Sequence, residues 1–297
     1  MDTLLFTGAS GFVGRNVVPR LRGHYRVVTL GRNPADDVVA DLSRGVPVLG
    51  GSPQVVVHAA ALAHPGKNTV PDDFMAVNLG GTRNLCKALE RGRLPHSVVF
   101  ISTVAVYGGA DGDSAIDEDC ALQGTSAYAL SKIEAELLLR RWCDAHGVQL
   151  AILRPSALIG RGAPGNVGRM IAGMRRGYYL GIGSGVGVRG ITHVDDLAPA
   201  IVAAVGRSGV WNLVGENMRL REIERMVADA VGRRFVPRIP DAVARSVARL
   251  GDCFGAEAPI NTERYRLLTR SLAFSSERAR AELGWHPDPI APRLRLR

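Results

Sequence analysis

The chain has 297 residues, of which 46% are hydrophobic and 22% charged. That is enough length for one large α/β domain or two small ones, and it excludes a mainly disordered chain. The balance of 37 basic to 28 acidic residues gives +9, yet only Lys67, Lys87 and Lys132 are lysines, the arginines are scattered without interleaved aromatics, and no nucleic-acid partner is expected.

No apolar run reaches the roughly 18–20 residues that cross a bilayer; Val55 to Ala63 and Leu197 to Val205 are too short. The strand-like run Thr3–Phe6 starts almost at once, so no removable leader and a cytoplasmic location are expected. Cys86, Cys120, Cys143 and Cys253 form no CxxC pair and are expected as reduced thiols. The histidines show no HExxH spacing, and no metal site is expected.

Thr3–Phe6 reads as a strand and Gly14–Leu21 as a helix. Strands follow at Arg26–Leu30 and Val55–His58, then a helix at Phe74–Glu90, a strand at Val98–Ile101, a helix at Ala127–His146 and a strand at Gln149–Leu153. The apolar runs suit strands buried on both faces of a parallel sheet, and the alternation implies βαβ units. The expected fold is α/β: a Rossmann-type doubly wound parallel sheet over residues 1–155. A smaller substrate-binding part spans 156–297, with about 194–215 returning to the main sheet. Gly160 to Gly190 is rich in glycine and reads as loops and short elements. Asp195–Val205 reads as a helix, Val210–Val214 as a strand and Ser276–Leu283 as a late helix.

Between the first strand and first helix stands Thr7-Gly8-Ala9-Ser10-Gly11-Phe12-Val13-Gly14. Gly8 permits a tight turn, Gly11 admits a pyrophosphate close to the backbone, and Gly14 lets the helix pack on the strand. The helix start offers N–H groups to phosphates. At the end of the second strand an acid would bind a ribose 2′-hydroxyl, but the sequence there is Leu30-Gly31-Arg32-Asn33. Arg32 can pair with a 2′-phosphate, which favours NADP(H) over NAD(H). Asp41 and Leu42 lie where a short segment could hold the adenine amino group.

Tyr128-Ala129-Leu130-Ser131-Lys132 places a phenol and an ammonium on one helix face. An ammonium, helped by an oxidised nicotinamide, is expected to lower the phenol's pKa and fit it for proton exchange with an alcohol/carbonyl pair. Thr103, at the C-terminal end of a strand, can hydrogen-bond the reacting oxygen.

These segments resemble the extended short-chain dehydrogenases, in particular the nucleotide-sugar epimerase/dehydratase group. The resemblance rests on TGASGFVG (7–14), VVVHAAA (55–61), NLGGT (78–82), STVAVYG (102–108), YALSK (128–132), LRPSALIG (153–160) and RGITHVDDLA (189–198). SLAFSSERARAELGWHP (271–287) is similar to the group's C-terminal signature, although the ending after Trp285 is short and the usual closing helix is not expected. By resemblance Tyr128 is the acid/base, Lys132 its electrostatic partner and Thr103 the holder of the sugar hydroxyl. Gly8, Ser10, Gly11, Phe12, Val13, Gly14, Ala59, Ala60 and Pro155 would line the dinucleotide, and Asn78 would brace the site. Asn166 and Arg189 would hold the substrate diphosphate.

The 4,6-dehydratases of the group carry Asp-Glu directly after the threonine; here Val104 and Ala105 stand there, and neither transfers a proton. The resemblance therefore implies hydride transfer at one sugar carbon. A 4-ketoreductase acting on a UDP-N-acetylhexosamine or its 4-keto-6-deoxy form is favoured, and a 4-epimerase with tightly bound NAD is the alternative. A non-catalytic dinucleotide-binding redox sensor is a reading of another class, opposed by the intact Thr103, Tyr128 and Lys132. The helices Phe74–Glu90 and Ala127–His146 imply a homodimer by the same resemblance.

Overall fold

A computed structural model describes residues 1–64, 66, 68–109, 115–252, 262, 265 and 269–296. Cys253 and the terminal Arg297 lie outside the described residues; Cys86, Cys120 and Cys143 are free thiols.

The main sheet has seven strands: β1 (Thr3–Thr7), β2 (Arg26–Gly31), β3 (Val38–Val39), β4 (Val55–His58), β5 (Ser97–Ile101), β6 (Gln149–Pro155) and, after three strands of smaller sheets, β10 (Gly209–Leu213). Their spatial order is β10-β6-β5-β4-β1-β2-β3, and every pair is parallel. β4 and β5 are buried along their whole length. The side-chain period of two sends alternate residues to opposite faces. Leu4, Phe6, Val55, Val57, Val99 and Leu153 pack against α1 (Phe12–Leu21) and the helix Leu197–Ala204. Leu5, Val56, Val98, Phe100 and Ile152 pack against Leu85, Leu89, Leu139 and Trp142 of the helices on the other face. Each large side chain buried this way contributes about 1.5–3 kcal/mol.

The strand order reverses at β1: β2 lies on one side and β4 on the other. Thr7, the last residue of β1, registers with Leu30 of β2 and His58 of β4. The carboxyl ends around this switch point form the crevice where ligands of open α/β sheets bind.

The second layer contains β7 (Ala157–Ile159), β9 (Val188–His193) and β11 (Glu216–Arg219) in one sheet, and β8 (Gly181–Ile182) with β12 (Arg238–Ile239) in another. Here the structure departs from the sequence reading. Residues 165–176, in a stretch expected as loops and short elements, form a helix of 12 residues. Its glycines serve close packing rather than flexibility: a Cβ on Gly168 would stand 2.1 Å from the Ala163 carbonyl oxygen. The helix expected from Phe74 begins at Pro71 and contains a π-helical stretch at Met75–Gly80 before continuing as Gly81–Leu89. The C-terminus carries a single helical turn at Ile290–Arg293, with Leu294 and Leu296 buried.

Candidate active site

The glycine loop wraps the switch point. Gly8 has φ +77°, a conformation that favours glycine, and an added Cβ would fall 2.8 Å from Ala60 Cα and N. Its N–H donates to the Leu30 carbonyl at 2.9 Å, tying the loop to β2. Gly11 is the N-cap of α1 and has no side-chain partner at that end. At Gly14 a Cβ would stand 2.4 Å from Ala9 Cα, so glycine lets the helix close onto the loop. The cradle that side chains would fill is thus kept open, which fits a dinucleotide pyrophosphate. Ser10 is exposed at the loop's tip, while Phe12 and Val13 flank the core beneath it.

Around this cradle, Ala59 and Ala60 follow β4, and the Ala60 N–H donates to Thr7 Oγ1 at 3.1 Å. Pro155 ends β6, opposite Leu213. Leu42 is buried, and its carbonyl accepts from Asn84 Nδ2 at 2.8 Å. Asp41 is held below the ordinary carboxylate range, first by the Ser43 hydroxyl and further by the Arg32 and Arg44 guanidiniums. Arg32 itself is exposed.

Tyr128 and Lys132 lie on the helix Ala127–His146, which Ser126 caps by accepting the Ala129 N–H. Lys132 is fully buried. Its ammonium donates to the Ile101 carbonyl at 2.8 Å and sits 3.8 Å from the Phe100 ring centroid. Burial pushes its pKa down to about 7, and Glu136, one helical turn on, pulls the other way. The Tyr128 hydroxyl is hydrogen-bonded to Thr103, but burial dominates and raises the phenol to about 12. The expectation of a lowered phenol pKa is therefore not met by the protein alone, because desolvation of the phenolate outweighs the stabilising contact. Thr103 also accepts the Ala105 N–H at 3.1 Å and starts a 3-10 turn over Val104–Tyr107. Val104 and Ala105 lie in that turn, half-buried.

The π-helical stretch explains Asn78. Its carbonyl, at the end of that stretch, accepts the Gly81 N–H and the Thr82 hydroxyl, the latter at 2.5 Å. Its side chain clamps the loop after β4, accepting the Leu62 N–H at 2.7 Å and donating to the Leu62 carbonyl at 3.1 Å. The amide also donates to Ser131 Oγ at 2.8 Å, and Ser131 donates to the Tyr128 carbonyl. Asn78 thereby joins the loop after β4 to the helix Ala127–His146.

On the opposite side, Asn166 is exposed at the start of the helix Gly165–Arg176, and Arg169 donates to its Oδ1 at 2.5 Å. Arg189 lies in β9, opposite Met218. Its guanidinium donates to the Val188 and Arg270 carbonyls, and burial lowers its pKa. Asn166 is thus engaged with Arg169, and Arg189 with the Val188 and Arg270 carbonyls. No group of acidic, histidine and cysteine side chains suited to a metal occurs among the described residues.

Sequence reasoning missed a buried network behind the helix Ala127–His146. Glu136 is bound bidentately by Arg154, with Nε–Oε1 at 3.0 Å and Nη2–Oε2 at 2.5 Å. Ser102 donates to Glu136, Arg154 donates to the Tyr107 hydroxyl at 2.7 Å, and Tyr107 donates to Asn212 on β10 at 2.8 Å. The signal lay in the segments STVAVYG and LRPSALIG, which hold Tyr107 and Arg154; helical spacing alone also puts Glu136 one turn after Lys132.

The fold and site define a dinucleotide-dependent enzyme of the Rossmann type. The chain belongs to the NAD dependent epimerase/dehydratase family, whose sequence model matches residues 4–213. Among curated relatives, it is 30% identical to GDP-6-deoxy-D-mannose reductase of Pseudomonas aeruginosa, over 76% of this chain and 79% of that one. It is 28% identical to UDP-glucose 4-epimerase of Corynebacterium glutamicum, over 96% and 91%. A third relative, N-acetyl-alpha-D-glucosaminyl-diphospho-ditrans,octacis-undecaprenol 4-epimerase of Escherichia coli O157:H7, is 27% identical, and the match spans 62% of that relative's length. Among solved structures, RMD from Pseudomonas aeruginosa complexed with NADPH superposes with a TM-score of 0.76 at 25% identity, covering 98% of this chain and 96% of that one. MoeE5 in complex with UDP-glucose and NAD gives 0.74 at 25% identity, covering 97% and 94%. No helix among the described residues is long and apolar enough to cross a membrane.

Proposed function

We propose that this protein transfers a hydride at C4 of a nucleotide sugar, acting as a 4-ketoreductase that draws on NADP(H). The observation that carries the reading is Thr103, Tyr128 and Lys132 gathered at the carboxyl end of the sheet, with Val104 and Ala105 beside them. One proton carrier is present, and the two neighbouring positions hold none.

The glycine loop, Ala59, Ala60 and Pro155 would hold the dinucleotide, with Arg32 toward a 2′-phosphate. Bound there, the nicotinamide supplies or accepts the hydride. Tyr128 exchanges the proton of the sugar oxygen. Thr103 hydrogen-bonds that oxygen and keeps it within reach of the phenol. The Lys132 ammonium, fixed by the Ile101 carbonyl, stabilises the phenolate that forms after proton donation. Asn166 and Arg189 would take the substrate's diphosphate, the Arg189 guanidinium supplying the charged donor that phosphates call for and Asn166 a neutral amide. A UDP-linked 4-keto-6-deoxy-N-acetylhexosamine is the substrate class proposed. The helix Ala127–His146 leaves Leu130 and Leu137 exposed, two turns apart on one side, which supports a homodimer through this helix. Sedimentation that shows only monomer would remove that part.

A 4-epimerase is the second reading, favoured by the likeness to UDP-glucose 4-epimerases. It would use the same residues and return the hydride to the opposite face. Mass analysis of the cofactor released on denaturing the purified protein separates the two. Stoichiometric NAD supports the epimerase. An empty site that turns over the keto sugar with NADPH supports the reductase.

A further inference from the structure

Gly31 ends β2 beside the glycine loop, one residue beyond the Leu30 carbonyl that accepts the Gly8 N–H. A residue at this place faces the ribose end of a dinucleotide site. Its own side chain is a single hydrogen, yet the space above it is filled. A Cβ built on Gly31 would lie 2.4 Å from Asp36 Oδ2 and 3.1 Å from Asp36 Cγ. The Asp36 carboxylate therefore stands where a side chain rooted in β2 would begin.

A short turn puts it there. Asn33 N–H donates to Asp36 Oδ2 at 3.0 Å, Asp36 N–H donates to the Asn33 carbonyl at 2.9 Å, and Ala35 N–H donates to Asn33 Oδ1 at 2.9 Å. The Asn33 contact holds Oδ2 in place and leaves Oδ1 as an acceptor for a ligand hydroxyl. Arg32, in the same turn, is exposed and acts electrostatically on Asp41. Two side chains of opposite charge thus flank the ribose end.

We infer that Asp36, reaching back from the loop, is the acid that reads the ribose, accepting its 2′-hydroxyl and opposing a 2′-phosphate. This rests on the dinucleotide reading above. A carboxylate gains a charge-assisted hydrogen bond from a hydroxyl and is repelled by a phosphate. Asp36 and Arg32 then pull cofactor preference in opposite directions, and the protein binds both NADH and NADPH.

The test is fluorescence titration of the purified protein with NADH and with NADPH. Asp36→Asn keeps an acceptor for the Asn33 N–H and removes the charge. The ratio of the two dissociation constants is expected to move toward NADPH by about tenfold or more, the scale of one charged hydrogen bond. Arg32→Ala is expected to move it the other way. The double variant Gly31→Asp/Asp36→Ala roots the acid in the strand and is expected to bring the ratio back toward NADH, which guards against a mere collapse of the turn. Both cofactors binding with a ratio unmoved by Asp36→Asn would overturn the inference. Wild-type protein that binds neither cofactor would overturn the dinucleotide reading itself.

Discussion

His58 Nε2 lies 2.9 Å from the Thr82 hydroxyl, which spends its own proton on the Asn78 carbonyl. The ring nitrogen must therefore donate. With that proton on Nε2, Nδ1 of a neutral ring accepts, and the Thr7 hydroxyl 2.7 Å away, which also accepts the Ala60 N–H, donates to it. The donors and acceptors balance with a neutral imidazole carrying its proton on Nε2.

A second proton, on Nδ1, would face the Thr7 hydroxyl and turn that hydroxyl's own hydrogen away from the ring. Burial, with the Lys132 charge adding to it, pushes the His58 pKa from 6.5 down to about 3. The folded ring thus stays neutral while the unfolded ring protonates, so stability is full above pH 6.5 and is lost progressively toward pH 3. The expected slope is about 1.4 kcal/mol per pH unit from this group. Urea midpoints at several values between pH 4 and 7 measure it, and His58→Asn should flatten the slope by one proton. Equal slopes in both proteins would mean that the ring titrates as in water.

Tyr128→Phe keeps the ring that packs 6.2 Å from Phe74 and removes the hydroxyl bonded to Thr103. Turnover is expected to fall by about 10²–10⁴. Cofactor affinity and the melting temperature should stay close to wild type. A variant with full turnover would take the proton transfer away from Tyr128 and assign it to another group.

Glu136 and Arg154 form a buried bidentate pair, with side chains 1% and 3% exposed. Glu136→Gln strands the guanidinium next to Lys132, and a loss of about 3–5 kcal/mol is expected. The double variant Glu136→Met/Arg154→Met removes both charges, and recovery of most of that stability is expected. Denaturant unfolding of the three proteins measures the difference. A double variant as unstable as the single one would show that Tyr107 and Ser102 depend on the pair for their own satisfaction.

The main sheet was legible because Val55–His58 and Val98–Ile101 can be stable only when buried on both faces, and because Gly8, Gly11 and Gly14 fall directly between a strand and a helix. The helix at 165–176 was not legible. Its glycines are placed by contacts with Ala163 and with Tyr178 and Tyr179, which are tertiary facts. The π-helical stretch was hidden for a similar reason: Asn78 earns its place through Leu62 and Ser131, neither a helical neighbour. Asp36 was not singled out in the sequence, because its meaning depends on the empty Cβ position of Gly31, five residues away. Tyr128 and Lys132 were visible as a pair, but the sign of the phenol's shift depended on burial.

The three loop glycines also differ in what they tolerate. A Cβ on Gly14 would meet backbone atoms of Ala9 at 2.4 Å, whereas on Gly11 its near contact is the Gly8 carbonyl oxygen at 3.1 Å. Gly11 has φ −73°, which any residue adopts. Gly14→Ala is therefore expected to lower both the melting temperature and cofactor affinity, since α1 must move off the loop. Gly11→Ala should leave the melting temperature within about 2–4 °C, a cost near 1 kcal/mol at this length. It should nevertheless weaken the cofactor about tenfold or more, because its methyl group projects into the path of the pyrophosphate. Thermal melts with and without NADPH separate the two effects. A Gly11→Ala protein that binds the dinucleotide as tightly as wild type would place the phosphates elsewhere on the loop.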